Sequence, residues 1–197
     1  MRSAIRSCLT AAVLAALPPM AALAASPAAP SAPPAASPSV PAEGKLSVTF
    51  VDAQHYTDAA YTHPYASDKD LAAVEGDIFR HLQKLARRGL PPGDTLKIEV
   101  LDIDLAGRFE PWRFPGTDLR VVRDITWPRM TLRYTLSRGD RVLASAEERI
   151  SDMNFMMSAN LYPDSDPLRY EKAMLDDWFD TRIVKRVATQ ASRAEPG

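Results

Sequence analysis

Eighteen consecutive residues, Ser26 to Glu43, contain six Pro, six Ala and four Ser, and they confine any packed fold to the chain beyond Glu43. Proline fixes φ and removes a backbone donor, so it breaks helix and strand alike. Ala and Ser offer too little apolar area to offset the entropy of ordering a chain. Residues 25–44 therefore read as a semi-extended Pro/Ala/Ser-rich linker. In front of it, Arg2 and Arg6 precede an apolar run from Leu9 to Leu17, which Pro18 and Pro19 break before Ala22-Leu23-Ala24. A basic start, an apolar run too short for a stable membrane anchor and small residues at −3 and −1 make residues 1–24 a cleavable signal peptide. The expected compartment is the periplasm of a Gram-negative bacterium.

Cys8 is the chain's one cysteine. It lies within the signal, too early and beside Arg6, so it is not a lipoprotein cysteine. A mature chain without Cys has no disulfide, thiol nucleophile or thiolate metal site. It must fold on its apolar core alone. Removing Arg2 and Arg6 leaves 22 basic residues against 25 acidic ones, a net charge of −3. That balance argues against nucleic-acid binding. No later stretch is long and apolar enough for a membrane span.

Residues 45–190 are expected to form one domain, and 191–197 a flexible tail. Leu46, Val48 and Phe50 alternate with Ser47 and Thr49, as in a half-buried strand. His55 to Tyr65 is a polar, aromatic loop. Ser67 and Asp70 have capping-box spacing, and Leu71, Val74, Ile78, Leu82 and Leu85 form one helical stripe that Gly89 and Pro91-Pro92 end. Leu96 to Leu105 changes phase: Leu96, Ile98 and Val100 share one parity, Leu101, Ile103 and Leu105 the other. Either both faces are buried or a bulge near Val100 restores the register. Asp118 to Thr126 reads as a strand. Met130 to Leu136 and Val142 to Ile150 form a hairpin around Ser137-Arg138-Gly139-Asp140. A second helix is expected from Asp166-Pro167, with Leu168, Leu175, Trp178, Phe179, Ile183 and Val187 on its apolar side. The order predicts an α+β domain, a mostly antiparallel sheet of four or five strands with both helices on one face.

Three segments add a resemblance. Leu101-Asp102-Ile103-Asp104-Leu105-Ala106-Gly107, Asp124-Ile125-Thr126-Trp127-Pro128-Arg129 and the run from Leu168 to Phe179 together resemble a family of exported bacterial proteins, the domain of unknown function DUF3016, over about residues 46–180. The resemblance implies an exported protein of proteobacterial type. It implies no activity and supplies no catalytic residues.

The candidate binding residues fall in two loops. Arg108, Trp112, Arg113 and Phe114 belong to a run that interleaves aromatics with Arg, the residue types that dominate interface hot spots. The favoured expectation, nonetheless, is that Phe109, Trp112 and Phe114 fold back onto the sheet edge, since free aromatics in water are costly. Arg123, Asp124, Trp127 and Arg129 set charges of both signs around an indole, and pairing of Asp124 with its neighbouring arginines is the expected arrangement. Asp102 and Asp104 share a strand face, and His55 and His63 lie in the first loop with Asp52 and Asp58. These are weak metal candidates, because their spacing matches no compact ligand motif. Met153, Met156 and Met157 are soft potential ligands, although filling gaps in the core is the expected role for them. No cofactor is implied: P-loop, dinucleotide and nucleophile-elbow patterns are absent. The expected function is non-enzymatic binding of an envelope protein or cell-wall component through the sheet edge and the aromatic loop. The alternative is a metal-dependent or carboxylate-based hydrolase built on Asp102, Asp104 and the early histidines.

Overall fold

The computed structural model describes residues 40–42, 46–110, 112 and 118–187. The expected signal, most of the linker and the tail lie outside them. The elements are β1 (Val40–Ala42), β2 (Leu46–Phe50), α1 (Asp68–Gly89), β3 (Asp94–Asp104), β4 (Arg108–Phe109), β5 (Arg120–Val121), β6 (Arg129–Arg138), β7 (Arg141–Ser151) and α2 (Arg169–Trp178), which runs on as a π-helical segment, Phe179–Val184. β1 falls inside the stretch expected to be linker. It pairs antiparallel with β2, and as an outer strand it is a place where proline is tolerated.

The main sheet has the order β1-β2-β3-β6-β7. The α+β class stands, but the sheet is mixed rather than mostly antiparallel, because β2 and β3 run parallel. α1 is the crossover between them, and a 22-residue helix returns the chain to the end of the sheet where β2 began. The other pairs are antiparallel. Strand alternation divides the sheet into two faces. Leu46, Val48, Leu96, Ile98, Leu132, Tyr134 and Leu136 pack with Val74, Ile78 and Leu82 of α1 and Leu175 and Trp178 of α2 in one apolar cluster. The opposite face is polar and open, and there Arg133 bonds Glu99 and Glu147 on the flanking strands.

The phase change in β3 is a bulge. Val100 stands opposite Leu132 and Asp102 opposite Thr131, leaving Leu101 as the extra residue. Ile103 is thereby returned to the core. The expected strand over 118–126 shrinks to Arg120–Val121, which pairs with β4 in a separate two-stranded ribbon. Beyond it the chain turns, with the Thr126 N–H on the Arg123 carbonyl at 2.9 Å and the Arg123 N–H on Thr126 Oγ1 at 2.9 Å.

Both helices carry local devices legible in their residues. Ser67 and Asp70 form the capping box reciprocally, and its hydrogen bonds, Ser67's hydroxyl foremost, hold the Asp70 carboxyl below its usual range. α2 begins at Arg169, later than Asp166-Pro167 suggests, but Asp166 Oδ1 accepts the Leu168 N–H at 3.0 Å and organises the entry. Phe179, Ile183 and Val187 recur every fourth residue and are all buried.

Gly89 departs from the expected role of helix stop. It is the last residue of α1, with Leu90 as the cap. A Cβ there would lie 2.7 Å from Phe179 Cε1 and 3.0 Å from Val184 Cγ2, so Gly89 is what lets the π segment approach α1. Gly89→Ala is expected to lower stability by about 1–3 kcal/mol through overpacking, although Ala is the better helix former by about 1 kcal/mol. Circular-dichroism melting checks this; an unchanged or higher Tm refutes the packing role.

Candidate functional site

The loop after β2 is strapped along β3 where the bulge re-aims the strand. Tyr56 donates its hydroxyl proton to the Val100 carbonyl at 3.0 Å. Thr57 donates its N–H (2.7 Å) and its hydroxyl (2.9 Å) to the Asp102 carboxylate. Asp58 donates its N–H to the Ile103 carbonyl and accepts from the Leu105 N–H, at 2.9 and 3.0 Å. These bonds present the Asp58 carboxylate to two arginines of the next loop.

Arg120 is the hub. Its guanidinium bonds both Asp58 oxygens (3.2 and 2.9 Å) and the carbonyls of Ala60, Leu105, Ala106 and Gly107 at 2.8–3.1 Å. Its carbon lies 5.5 Å from the Phe109 ring centroid. Only 15% of its side chain is exposed, so every donor goes to protein. Arg108 reaches Asp58 at 3.2 Å and Asp104 at 2.7 Å. Gly107 is required at the crossing: its φ is +86°, and a Cβ would lie 2.9 Å from the Val121 carbonyl oxygen. From the far side, buried Glu171 of α2 accepts the Ala106 N–H at 2.7 Å. Burial pushes its carboxyl up to about 7, against the lowering effect of that N–H and of the Arg120 charge. Segment 105–107 is thus held between a cation and a carboxyl group.

On this anchored base the two loops expose apolar side chains. Trp112 is 75% and Tyr65 88% exposed, and Leu119, Val122 and Ile125 also face solvent. A hollow of about 460 Å³ lies against Asp58, Pro64, Tyr65 and Arg108. The aromatic run therefore divides: Phe109 is buried, Trp112 is not, and Arg113 and Phe114 lie outside the described residues.

The expected Asp124 pairing is corrected. Arg123 makes a two-pronged bond to Glu110, at 3.0 and 2.8 Å. Arg129 bonds Asp104 through Nε at 2.8 Å and lies over Trp127, 5.3 Å from the ring centroid. Asp124 is exposed. Neighbours in sequence were displaced by carboxylates that the turn and the sheet bring closer. The metal candidates are not brought together. Asp102 is engaged by Thr57 and Asp104 by Arg108 and Arg129. His55 Nδ1 lies 2.7 Å from Asp52 and His63 Nε2 3.7 Å from Asp118. Among the described residues no group of three or more His, Cys, Asp or Glu is placed to hold a metal. The third histidine, His81, is buried on α1 with Nε2 2.9 Å from Asp176 of α2. Burial works to raise the Asp176 carboxyl, but the adjacent His81 and the hydrogen bond from the Tyr162 hydroxyl outweigh it and leave it below its usual range. Met153, Met156 and Met157 are exposed rather than filling the core; the buried side chain of that loop is Phe155, edge-on to Tyr170.

Arg120, Glu171 and the exposed Tyr65, Leu119, Val122 and Ile125 do not stand out in the sequence. The signal for Arg120 is slight: one basic residue between Leu119 and Val121. Glu171 stands in a helix turn that reads as solvated, Tyr170-Glu171-Lys172.

No described helix is long and apolar enough to cross a membrane. No curated protein and no solved structure matches the chain. The family model described as "Protein of unknown function (DUF3016)" matches residues 44–181, from just before β2 into the π-helical segment that closes the core. With most of its length, and all the elements that build the Arg120 hub, inside that match, the chain belongs to the DUF3016 family.

Proposed function

We propose that this protein is exported by its first 24 residues to the periplasm and acts there as a non-enzymatic binding domain. Its partner is an envelope protein or cell-wall component, and the Pro-rich segment is its tether. The observation that carries the reading is the exposure of Tyr65, Trp112, Leu119, Val122 and Ile125 on loops held by buried ion pairs. Large apolar side chains in water are costly to maintain, and loops that expose several of them offer a contact surface. The backbone of residues 58–60 and 105–107 is fixed by Arg120 and Asp58, so little ordering cost remains in these segments at binding. Arg108, lining the adjacent hollow, supplies a charged donor beside the aromatics. The buried carboxylates of the region are engaged by arginines or backbone donors, which supports binding over acid–base chemistry.

The test replaces Trp112 with a photo-crosslinking amino acid in cells, with the Trp112→Ala variant alongside. The expected result is one dominant envelope adduct by mass spectrometry, and for Trp112→Ala a roughly 10–100-fold weaker association with that partner, the range of an aromatic hot spot. Melting should be unchanged. No adduct at position 112, a large loss of Tm in Trp112→Ala, or retention of the precursor in the cytosol each refutes the reading.

A further inference from the structure

β7 ends the sheet. Its ladder runs to β6, and along Arg141–Ser151 no further strand lies beside it among the described residues. An eleven-residue free edge offers a row of unpaired N–H and C=O groups, which proteins either cover or use. Alternation fixes what this edge presents. Glu147 stands opposite Arg133 and Arg149 opposite Thr131 on the open face, with Ser145 and Ser151 in the same row. Ala144, Ala146, Glu148 and Ile150 point to the helix-covered side. Arg149 is exposed and has no ion-pair partner among the described residues.

We propose that the β7 edge pairs antiparallel with the β7 edge of a second copy of this chain, about a two-fold axis at Glu148, joining the two sheets into one. Directly opposite residues in an antiparallel pair must share a face, so the axis falls on a residue. At Glu148, Glu147 stands opposite the partner's Arg149 and Arg149 opposite the partner's Glu147, while Ser145 meets the partner's Ser151. Moving the axis to Glu147 sets that carboxylate against its own copy, and moving it to Arg149 does the same for the guanidinium. Opposite charges directly across a pair stabilise it and like charges destabilise it. The axis at Glu148 gains two Glu147–Arg149 pairs against one Glu148–Glu148 contact, whereas the other two axes set like charges together and gain no such pair, so the charge order favours Glu148. On the covered side the two Glu148 side chains meet, each already held by its own Trp178 Nε1 at 3.3 Å and Arg182 Nε at 3.1 Å. A hollow of about 790 Å³ beneath the edge, against Ile150, Ser158, Met174 and Thr181, leaves room for the incoming strand's side chains. The surface is remote in sequence from the Trp112 rim and does not depend on the binding role proposed for it.

Sedimentation velocity of the chain purified after export, over micromolar to sub-millimolar concentrations, tests this. The expected result is a monomer–dimer equilibrium that weakens in high salt. Arg149→Glu and Glu147→Arg should each raise the dimer Kd at least about tenfold, and the double variant, with both charges exchanged, should restore it. A nitroxide on Ser145→Cys, the only thiol once the signal is removed, should report pairs about 20 Å apart, six residues along facing strands. That distance reads the register even if a charge variant folds poorly. A monomer at every concentration, a dimer indifferent to Arg149→Glu, or a label separation incompatible with that register overturns the proposal. So does a β7 edge that captures a foreign extended peptide without self-association.

Discussion

Arg120→Ala is expected to lower the stability of the domain by about 3–5 kcal/mol, the cost of removing one member of a buried ion pair. Asp58 would keep Arg108, at 3.2 Å, as its only cationic partner among the described residues, and the carbonyls of Ala60, Leu105, Ala106 and Gly107 would lose a common donor. Each buried acceptor left unmatched adds to the loss. Arg120→Lys should recover little, because an ammonium group is a compact point charge and cannot spread donors over four carbonyls and a carboxylate as the planar fork does. Urea unfolding followed by tryptophan fluorescence and circular dichroism measures this. A loss below about 1 kcal/mol, the range of a surface pair, would mean that solvent supports the loops without Arg120. The outcome also bears on the Trp112 rim, since loops released from Arg120 would present the same side chains at a larger ordering cost.

Glu171 sets the second large effect, on pH dependence. Its carboxyl ordinarily titrates near 4.5 and is pushed up to about 7 in the fold, by burial first. A group whose folded value lies above its unfolded one contributes stability that is complete below the unfolded value. That contribution is lost as pH rises through the folded value. Stability should therefore fall between about pH 5 and pH 8, by at most about 3 kcal/mol for a shift of this size. Asp70, Asp166 and Asp176 are shifted the other way, below 3.8, so they weaken the fold only at more acid pH; Glu75, raised by burial on α1, acts in the same direction as Glu171. Glu171→Gln keeps an acceptor for the Ala106 N–H and removes the titration. Its stability should fall much less than the parent's across the window and exceed that of the parent at pH 8. A parent that is equally stable at pH 5 and pH 8, or a Gln variant with the parent's slope, would show that Glu171 is not what titrates.

The hub and the rim differ in how far they could be foreseen. Arg108 and Trp112 were singled out, because Arg and Trp in a Pro-containing loop are informative wherever they occur, but Trp112 was expected to fold back onto the sheet and its exposure was not foreseen. Arg120 was not, because its significance lies in four carbonyls and Asp58, which are 15 residues or more away along the chain except near β4. Asp124 shows the reverse error: closeness in sequence suggested a partner, but a turn sends consecutive side chains to different sides. Glu171 belongs to a helix whose charged residues look solvated until the face opposite β3 is known.

The sequence by itself determined the elements whose causes are local. Ser67 and Asp70 start α1, the apolar stripe from Leu71 to Leu85 sets its buried side, and the broken parity around Val100 narrowed β3 to a bulge there or a strand buried on both faces. Period and capping chemistry act within a few residues, so a linear reading holds them. Only the tertiary structure decided that β2 and β3 run parallel, that Gly89 serves the approach of Phe179 rather than the end of a helix, and that Asp58, Arg120 and Glu171 converge on residues 105–107. Those are contacts between residues 13 to 90 apart in sequence, and their free energy depends on burial and geometry that the packed chain alone creates.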